Sequence, residues 1–457
     1  MELPDIAEKT VEKSLKAGAS QAEASVFTSD SALTRYTKNI IHQNVASVTH
    51  YLNLEVVVGE NKLGASSVKS LEEKFIDQAV ERAIGIARIS TPDPEFRSYV
   101  SPKPIKSLPG IHVKRTAEIT PEERAEGVKT IIETAMDYDE LVGWSAGSYE
   151  NEEVTFALAN SLGMEAETSH TRANVEVDTR AFKDGHEGAG FSRSYAHDIG
   201  QFDLEEMARS AAEDAVNSIN PKSIPTGDYE AIFTPASMST FTGFIGRLGF
   251  SARAYQEGYS FVTDKIGEQV FDEKLTITDM GRSLETYNAS PFDGEGTPKG
   301  DLRLVGDGVA ESLCYDNYTA LKDGVESTGH ALPKFARGFF MRGFPLPVNQ
   351  VVSPGDASVE EMIEDTRKGV YLTRLHYVNP IRRDKAVISG LTRDACWYIE
   401  DGEIVHPIKV MRFTDAIPRV LGEIDAVGDS STISKLASVT TPFVKVAKFN
   451  FTGQSEF

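Results

Sequence analysis

Nine histidines and two cysteines are the residues of this chain best suited to bind a metal or act as nucleophiles. A helix-borne zinc site needs two imidazoles on one helix face, usually about four residues apart. None of the nine histidines lies within five residues of another. The nearest pair, His42 and His50, falls in a strand-like stretch where both face one side, and it reads as a surface feature. His186-Glu187 lies in the loop Asp184–Gly188, and His197-Asp198 follows eleven residues later. A hairpin could gather these four side chains, but solvated loop residues are the simpler reading. His376 reads as a sheet histidine within Tyr371–Val378, and Cys396 beside Trp397 as a small buried hydrophobe.

Other chemistries find no anchor. A Gly-x-Ser-x-Gly elbow is missing, and Gly294-x-Gly296-x-x-x-Gly300 lacks the Gly-Lys-Ser/Thr ending of a phosphate loop. Asp293 and Glu295 could pair as acid and base. A metal- or cysteine-dependent hydrolase using Cys396 with His376 or His330 is an alternative without supporting ligand spacing. The residues by themselves name no active site.

The elements that must position these residues give an α+β chain. Ser70 with Glu73 predicts a helix carrying Ile76, Ala79, Val80, Ala83 and Ile84 on one face. Thr120-Pro121-Glu122-Glu123 predicts another, Asp203 with Glu206 a third to about Ile219, and Ser358 with Glu361 a fourth ending near Gly369. Residues 21–58 and 142–200 alternate as meanders, so helix, meander, helix occurs twice, at roughly 5–88 and 120–219. A pseudo-repeat or a single mixed sheet with flanking helices explains this equally well. The expected organisation is an N-terminal unit (1–90), a proline-rich connection (91–119), a second helix/meander unit (120–224) and a strand-rich C-terminal domain (225–457). Glycine hairpins at Val305–Val309 and Glu400–Glu403 mark that last domain.

Composition bounds the partners. A formal charge of −22 repels a phosphate backbone and no basic stripe offsets it, so direct nucleic-acid binding is not expected. No run of 18 apolar residues exists, which argues against a spanning helix. Met1-Glu2-Leu3-Pro4-Asp5 does not start like a secretory signal, and two cysteines make no disulfide framework. A cytoplasmic location is expected.

A set of ordered motifs adds what spacing cannot. Ser290-Pro291-Phe292-Asp293-Gly294-Glu295-Gly296 is followed by Tyr315–Ala320 and by Lys322–Gly329. Gly258-Tyr259-Ser260-Phe261 runs into Asp264–Gly267, and Pro354–Asp356, Thr373–Pro380, Gly390–Asp394 and Trp397–Ile404 come later. Together they resemble the TldD/PmbA family of metallopeptidase-related proteins, most clearly over residues 225–411. In that family one subunit type carries a zinc-binding His-Glu-x-x-x-His helix, and the TldE/PmbA type does not. A hand alignment sets the two histidines near Gly243 and Leu248 and the glutamate near Phe244, and this chain has no histidine between His197 and His330. The resemblance therefore implies a metal-free subunit without catalytic residues or a cofactor of its own. Such a subunit pairs with a zinc-bearing TldD-type protease subunit, or with itself, around an extended peptide. Tyr259, Phe261, Phe292, Asp293 and Glu295 are the candidates for peptide or partner contact. A non-enzymatic modulator of a topoisomerase is the other function that the resemblance carries.

Overall fold

Two β-sheets, joined face to loop, organise the chain. The structure is a computed structural model and describes residues 2–334, 344–434 and 439–454. The first half runs α1 (Leu3–Lys16), β1 (Gln21–Thr37), β2 (Ile40–Val58), β3 (Lys62–Val68), α2 (Glu73–Ile89), a short α3 (Lys114–Ala117), α4 (Pro121–Tyr138), β4 (Val142–Asn160), β5 (Glu165–Lys183), β6 (His186–Ala196) and α5 (Leu204–Asn217). The second half opens with β7 (Gly227–Phe233), α6 (Pro235–Gly249), α7 (Ala252–Gln256), β8 (Ile277–Met280), β9 (Asp301–Gly306), β10 (Val309–Ala310) and α8 (Asn317–Asp323). It continues through β11 (Gln350–Val352), α9 (Val359–Glu364), β12 (Lys368–Leu372), β13 (Arg374–Arg382), β14 (Val387–Arg393), β15 (Trp397–Glu400) and β16 (Glu403–Pro407). The last elements are β17 (Met411–Ala416), α10 (Ile417–Val420), β18 (Ile424–Ser434) and β19 (Val439–Gln454). The α+β class expected from the sequence is the observed one.

The six strands of the first sheet lie in the order β3-β2-β1-β4-β5-β6, all antiparallel. Each half is a three-stranded meander with a helix before and after it, and the halves meet at β1–β4. The repeated unit and the single sheet left open by the sequence are both present, but the sheet is antiparallel throughout and not mixed. Period-two alternation sends Ala22, Ala24, Val26, Leu52, Leu54 and Val56 to one face, under α1 and α2. Val175 and Val177 on that face lie under α4 and α5. Phe27, Val154, Phe156 and Leu158 point the other way and pack with Phe292 from the C-terminal half.

The second sheet combines parallel pairs (β7–β12, β11–β19) with antiparallel ones. Phe233, Phe241, Phe413, Phe449 and Phe451 centre its core, with Phe233 and Phe241 rings 4.9 Å apart. Several expected boundaries move. The Ser70 hydroxyl accepts only from Glu72 N, and α2 begins three residues after Ser70, without a side-chain cap. Ser358 does form a capping box, but α9 stops at Glu364, because residues from Lys368 pair with β7 and β15. The stretch Tyr371–Val378 splits at Thr373 into β12 and β13. No helix among the described residues is long and apolar enough to cross a membrane.

Glycine permits the closest helix–strand approaches, and it does so in both halves. A Cβ on Gly64 of β3 would stand 2.1 Å from the Ala83 carbonyl of α2, and one on Gly190 of β6 would stand 1.9 Å from the Ala211 carbonyl of α5. Gly64→Ala should therefore lower the denaturant midpoint by the equivalent of about 1–3 kcal/mol, since backbone must move. Gly85→Ala, in the interior of α2 with open space around its Cβ, should instead raise stability by about 0.5–1 kcal/mol.

Candidate functional site

α6 is fixed at its start by three hydroxyl contacts. The Thr234 hydroxyl accepts from Ser237 N and donates to the Thr373 carbonyl at 2.6 Å, and the Ser237 hydroxyl donates to the Leu372 carbonyl at 2.8 Å. With Pro235 in the first turn, the helix starts against the β12–β13 break. Met238, Phe241, Ile245 and Leu248 are buried on one side. Thr240, Gly243, Phe244 and Arg247, at helical spacing, form one wall of an open cleft of about 580 Å³. Residues 375–379 of β13 form the facing wall, and Leu346, Pro347 and Val348 close one side.

The facing wall is irregular. Pairing of β13 with β14 shifts register between His376 and Asn379, and Tyr377 adopts φ +50° with 75% of its surface exposed. Among the described residues β13 pairs with β14 alone, so its other edge is free. Partial burial, together with Arg393 and Arg374, lowers the His376 pKa below its usual value. These residues do not fit zinc. Among the described residues His376 is the one His, Cys, Asp or Glu side chain in the cleft lining, and nowhere among them do three such side chains converge as an ion would require.

His330 and Cys396 lie apart from that cleft. Burial raises the Cys396 thiol to about 11, so it is the buried small side chain its neighbourhood suggested. His330 is buried, its Nδ1 2.9 Å from the Thr328 hydroxyl and its Nε2 3.4 Å from Asp279.

The motif residues gather at a second place, the junction of the two halves. Asp293 organises its loop: Oδ1 accepts from the amides of Glu295 and Thr297, and Oδ2 from that of Ala331, each at 2.9 Å. Glu295 accepts from Asn317 N at 3.0 Å, and the Asn317 amide donates to the Ser98 carbonyl at 2.7 Å. Tyr318 reaches Asp93 and Glu95, so the α8 motif clasps the proline-rich connection. Phe292 stacks near Phe156, ring centroids 6.0 Å apart. Tyr259 is half-buried in the C-terminal half, and Phe261 is buried there between Phe250 and Phe271.

Several junction residues had no signal in the sequence. Lys334 lies 2.9 Å from both Glu23 and Glu55. His197, read above as a solvated loop residue, is buried instead; its two ring nitrogens contact the carbonyls of Thr171 at 2.8 Å and Thr286 at 3.0 Å, which bridges the halves. His170, Arg172 and Lys299 meet at the junction from two strands' length of separate sequence, which no local pattern announces.

The same chain regions match known protein families. Residues 226–453 match the PmbA/TldA metallopeptidase C-terminal domain, and residues 114–219 match the central domain of the same proteins. The chain belongs to the PmbA/TldD family. Metalloprotease PmbA of Escherichia coli O157:H7 is 25% identical over 86% of this chain and 84% of its own length. The metalloprotease PmbA homolog of Haemophilus influenzae is 24% identical over 97% and 94%. The crystal structure of TldE from Thermococcus kodakarensis shares the fold of this family member, with a TM-score of 0.88 at 19% identity, covering 98% of this chain and all of that one.

Burial, reinforced by the charge of Glu295, raises the Asp293 pKa to about 7 despite its three amide donors. A folded-state pKa above the unfolded value means that this group's contribution to stability is present in mild acid and lost as pH rises from about 4 to about 7. Glu295→Gln should move the upper end of that loss to lower pH, because the neighbouring charge is gone. Denaturant titrations of both forms between pH 4 and pH 8 provide the check.

Proposed function

We propose that this chain is the metal-free, TldE/PmbA-type subunit of a cytoplasmic peptidase complex. It pairs with a zinc-bearing TldD-type subunit and holds an extended peptide that the partner's metal cleaves. The observation that carries this reading is the composition of the cleft at α6. The helix that the family resemblance assigns to metal binding presents Thr240, Gly243, Phe244 and Arg247 to a cleft of about 580 Å³. The family framework around it is kept, while the two imidazoles and the general base of a zinc-hydroxide mechanism are missing from that face.

Peptide holding has its own support. The free edge of β13 beside the cleft offers main-chain donors and acceptors to an added strand. Exposed Tyr377 and Ile381 on the same strand supply apolar contact. Of the sequence candidates, half-buried Tyr259 is the one left accessible for contact with the peptide or the partner, while buried Phe292, Asp293 and Glu295 act by holding the loop 290–297 at the junction and Phe261 by packing the C-terminal core. In this reading Asp293→Ala and Glu295→Ala each weaken cleavage by the reconstituted complex, and full activity in both variants removes the junction loop from the function.

The deciding experiment is elemental mass spectrometry of the purified chain, alone and after mixing with a TldD-type relative. Zinc absent from the isolated chain, with chelator-sensitive peptide cleavage in the mixture, is the expected result. Stoichiometric zinc in the isolated chain overturns the proposal. Thr240→Trp, which fills the cleft, should reduce cleavage by the mixture about tenfold or more while the zinc content of the mixture stays unchanged.

A further inference from the structure

A second cavity, of about 330 Å³, lies between β5 and the loops around 288–299 and 330–333. It is separate from the cleft at α6, and its size falls within the range of small-ligand pockets. Its polar groups are poorly satisfied. His170 is only 8% exposed, yet neither ring nitrogen has a hydrogen-bond partner among the described residues. His330 is 2% exposed, and its Nε2 likewise makes no hydrogen bond. Arg172 leaves Nε unpaired and lies 5.2 Å from the Tyr287 ring centre, a stacking contact that does not neutralise its charge. Lys299 is 9% exposed, and burial pulls its pKa down against the opposing charges of Asp279 and Asp293.

Two acids, Glu152 and Asp293, also line the cavity: Glu152 accepts from the Ser29 hydroxyl at 2.6 Å and Asp293 is held by three amides. Asp279 accepts from Asn349 N at 2.8 Å through Oδ2, while its Oδ1 makes no hydrogen bond and lies 3.4 Å from His330 Nε2. Among the described residues neither Arg172 nor Lys299 has a carboxylate at ion-pair distance, so two cations face one space. Phe27, Phe156, Phe292, Leu332 and Pro333 supply apolar lining, with Thr168, Asn288 and Ser290 between them.

We infer that this cavity binds a small monocarboxylate with an apolar body. Arg172 and Lys299 take the carboxylate, His170 offers its ring nitrogens to the flanking polar atoms, and the phenylalanines cover the rest. A planar carboxylate matches the fork of a guanidinium better than a tetrahedral anion would match this half-apolar lining. Burial keeps His170 well below its usual pKa, so it enters as a neutral partner and adds no charge of its own. The site is independent of peptide holding at α6 and stands whether or not that reading does.

Isothermal titration of the full chain tests it with four probes: N-acetyl-phenylalanine, phenylacetate, N-acetyl-phenylalaninamide and inorganic phosphate. Both carboxylates should bind, and the amide and phosphate should bind at least about tenfold more weakly. N-acetyl-phenylalanine ahead of phenylacetate identifies a peptide C-terminus as the source, and the reverse order identifies a free organic acid. Arg172→Gln should weaken carboxylate binding about tenfold or more. Should that variant not fold, proton NMR of the unaltered chain serves instead, with the His170 and His330 ring signals shifting on addition of carboxylate and not of amide. No binding at millimolar concentration, equal binding of acid and amide, or imidazole signals that stay in place would show that the cavity holds water only.

Discussion

One face of the six-stranded sheet carries charge into a buried junction, and the C-terminal half is shaped to meet it. Glu23 on β1 is 1% exposed, opposite Glu55 on β2, and both carboxylates meet the Lys334 ammonium at 2.9 Å. Burial pushes the Glu23 pKa up, the Lys334 charge opposes that, and Glu295 and Glu55 push it further. Two acids and one amine in so little water are stable only if the geometry is held from outside, because removing one partner strands a buried charge. Loop 290–297, α8 and the chain around His330 provide that hold. They are also where the clearest family motifs fall.

The cleft at α6 obeys a different constraint. There the framework depends on apolar packing, with Phe241 in the core against Phe233 and Phe449, and the cleft face is free to change without unfolding the helix. The buried stripe of α6 sets its position, and the residues between stripes, Gly243 and Phe244 among them, set what it can bind. An irregular, free-edged β13 opposite completes a surface suited to main-chain contact rather than to metal ligation.

How much of this was legible beforehand follows from the range of each interaction. Caps such as Thr120 with Glu123 and hairpins such as Asp401-Gly402 depend on neighbours in sequence, and they were read correctly. α9 was read too long because its boundary is set by strand pairing of Lys368–Leu372 with β7, more than a hundred residues earlier in the chain. The burial of His197 was missed for the same reason, since its partners, Thr171 and Thr286, come from two distant segments. Lys299 and Lys334 carry no local pattern at all, and only the docking of the two halves gives them a role.

A short segment ties the two sites to one another. Val348 lines both the cleft at α6 and the cavity at the junction. Its carbonyl accepts from Asn288 at 3.1 Å, and the next residue is pinned by Asp279, by the Thr286 hydroxyl and by Met280 N. Asp279 in turn faces His330 across 3.4 Å, within the same buried group as Lys299. Val348 therefore gives the cleft and the junction cavity one shared wall, held in place through Asn288 and Asn349 by the buried polar groups that join the two halves of the molecule.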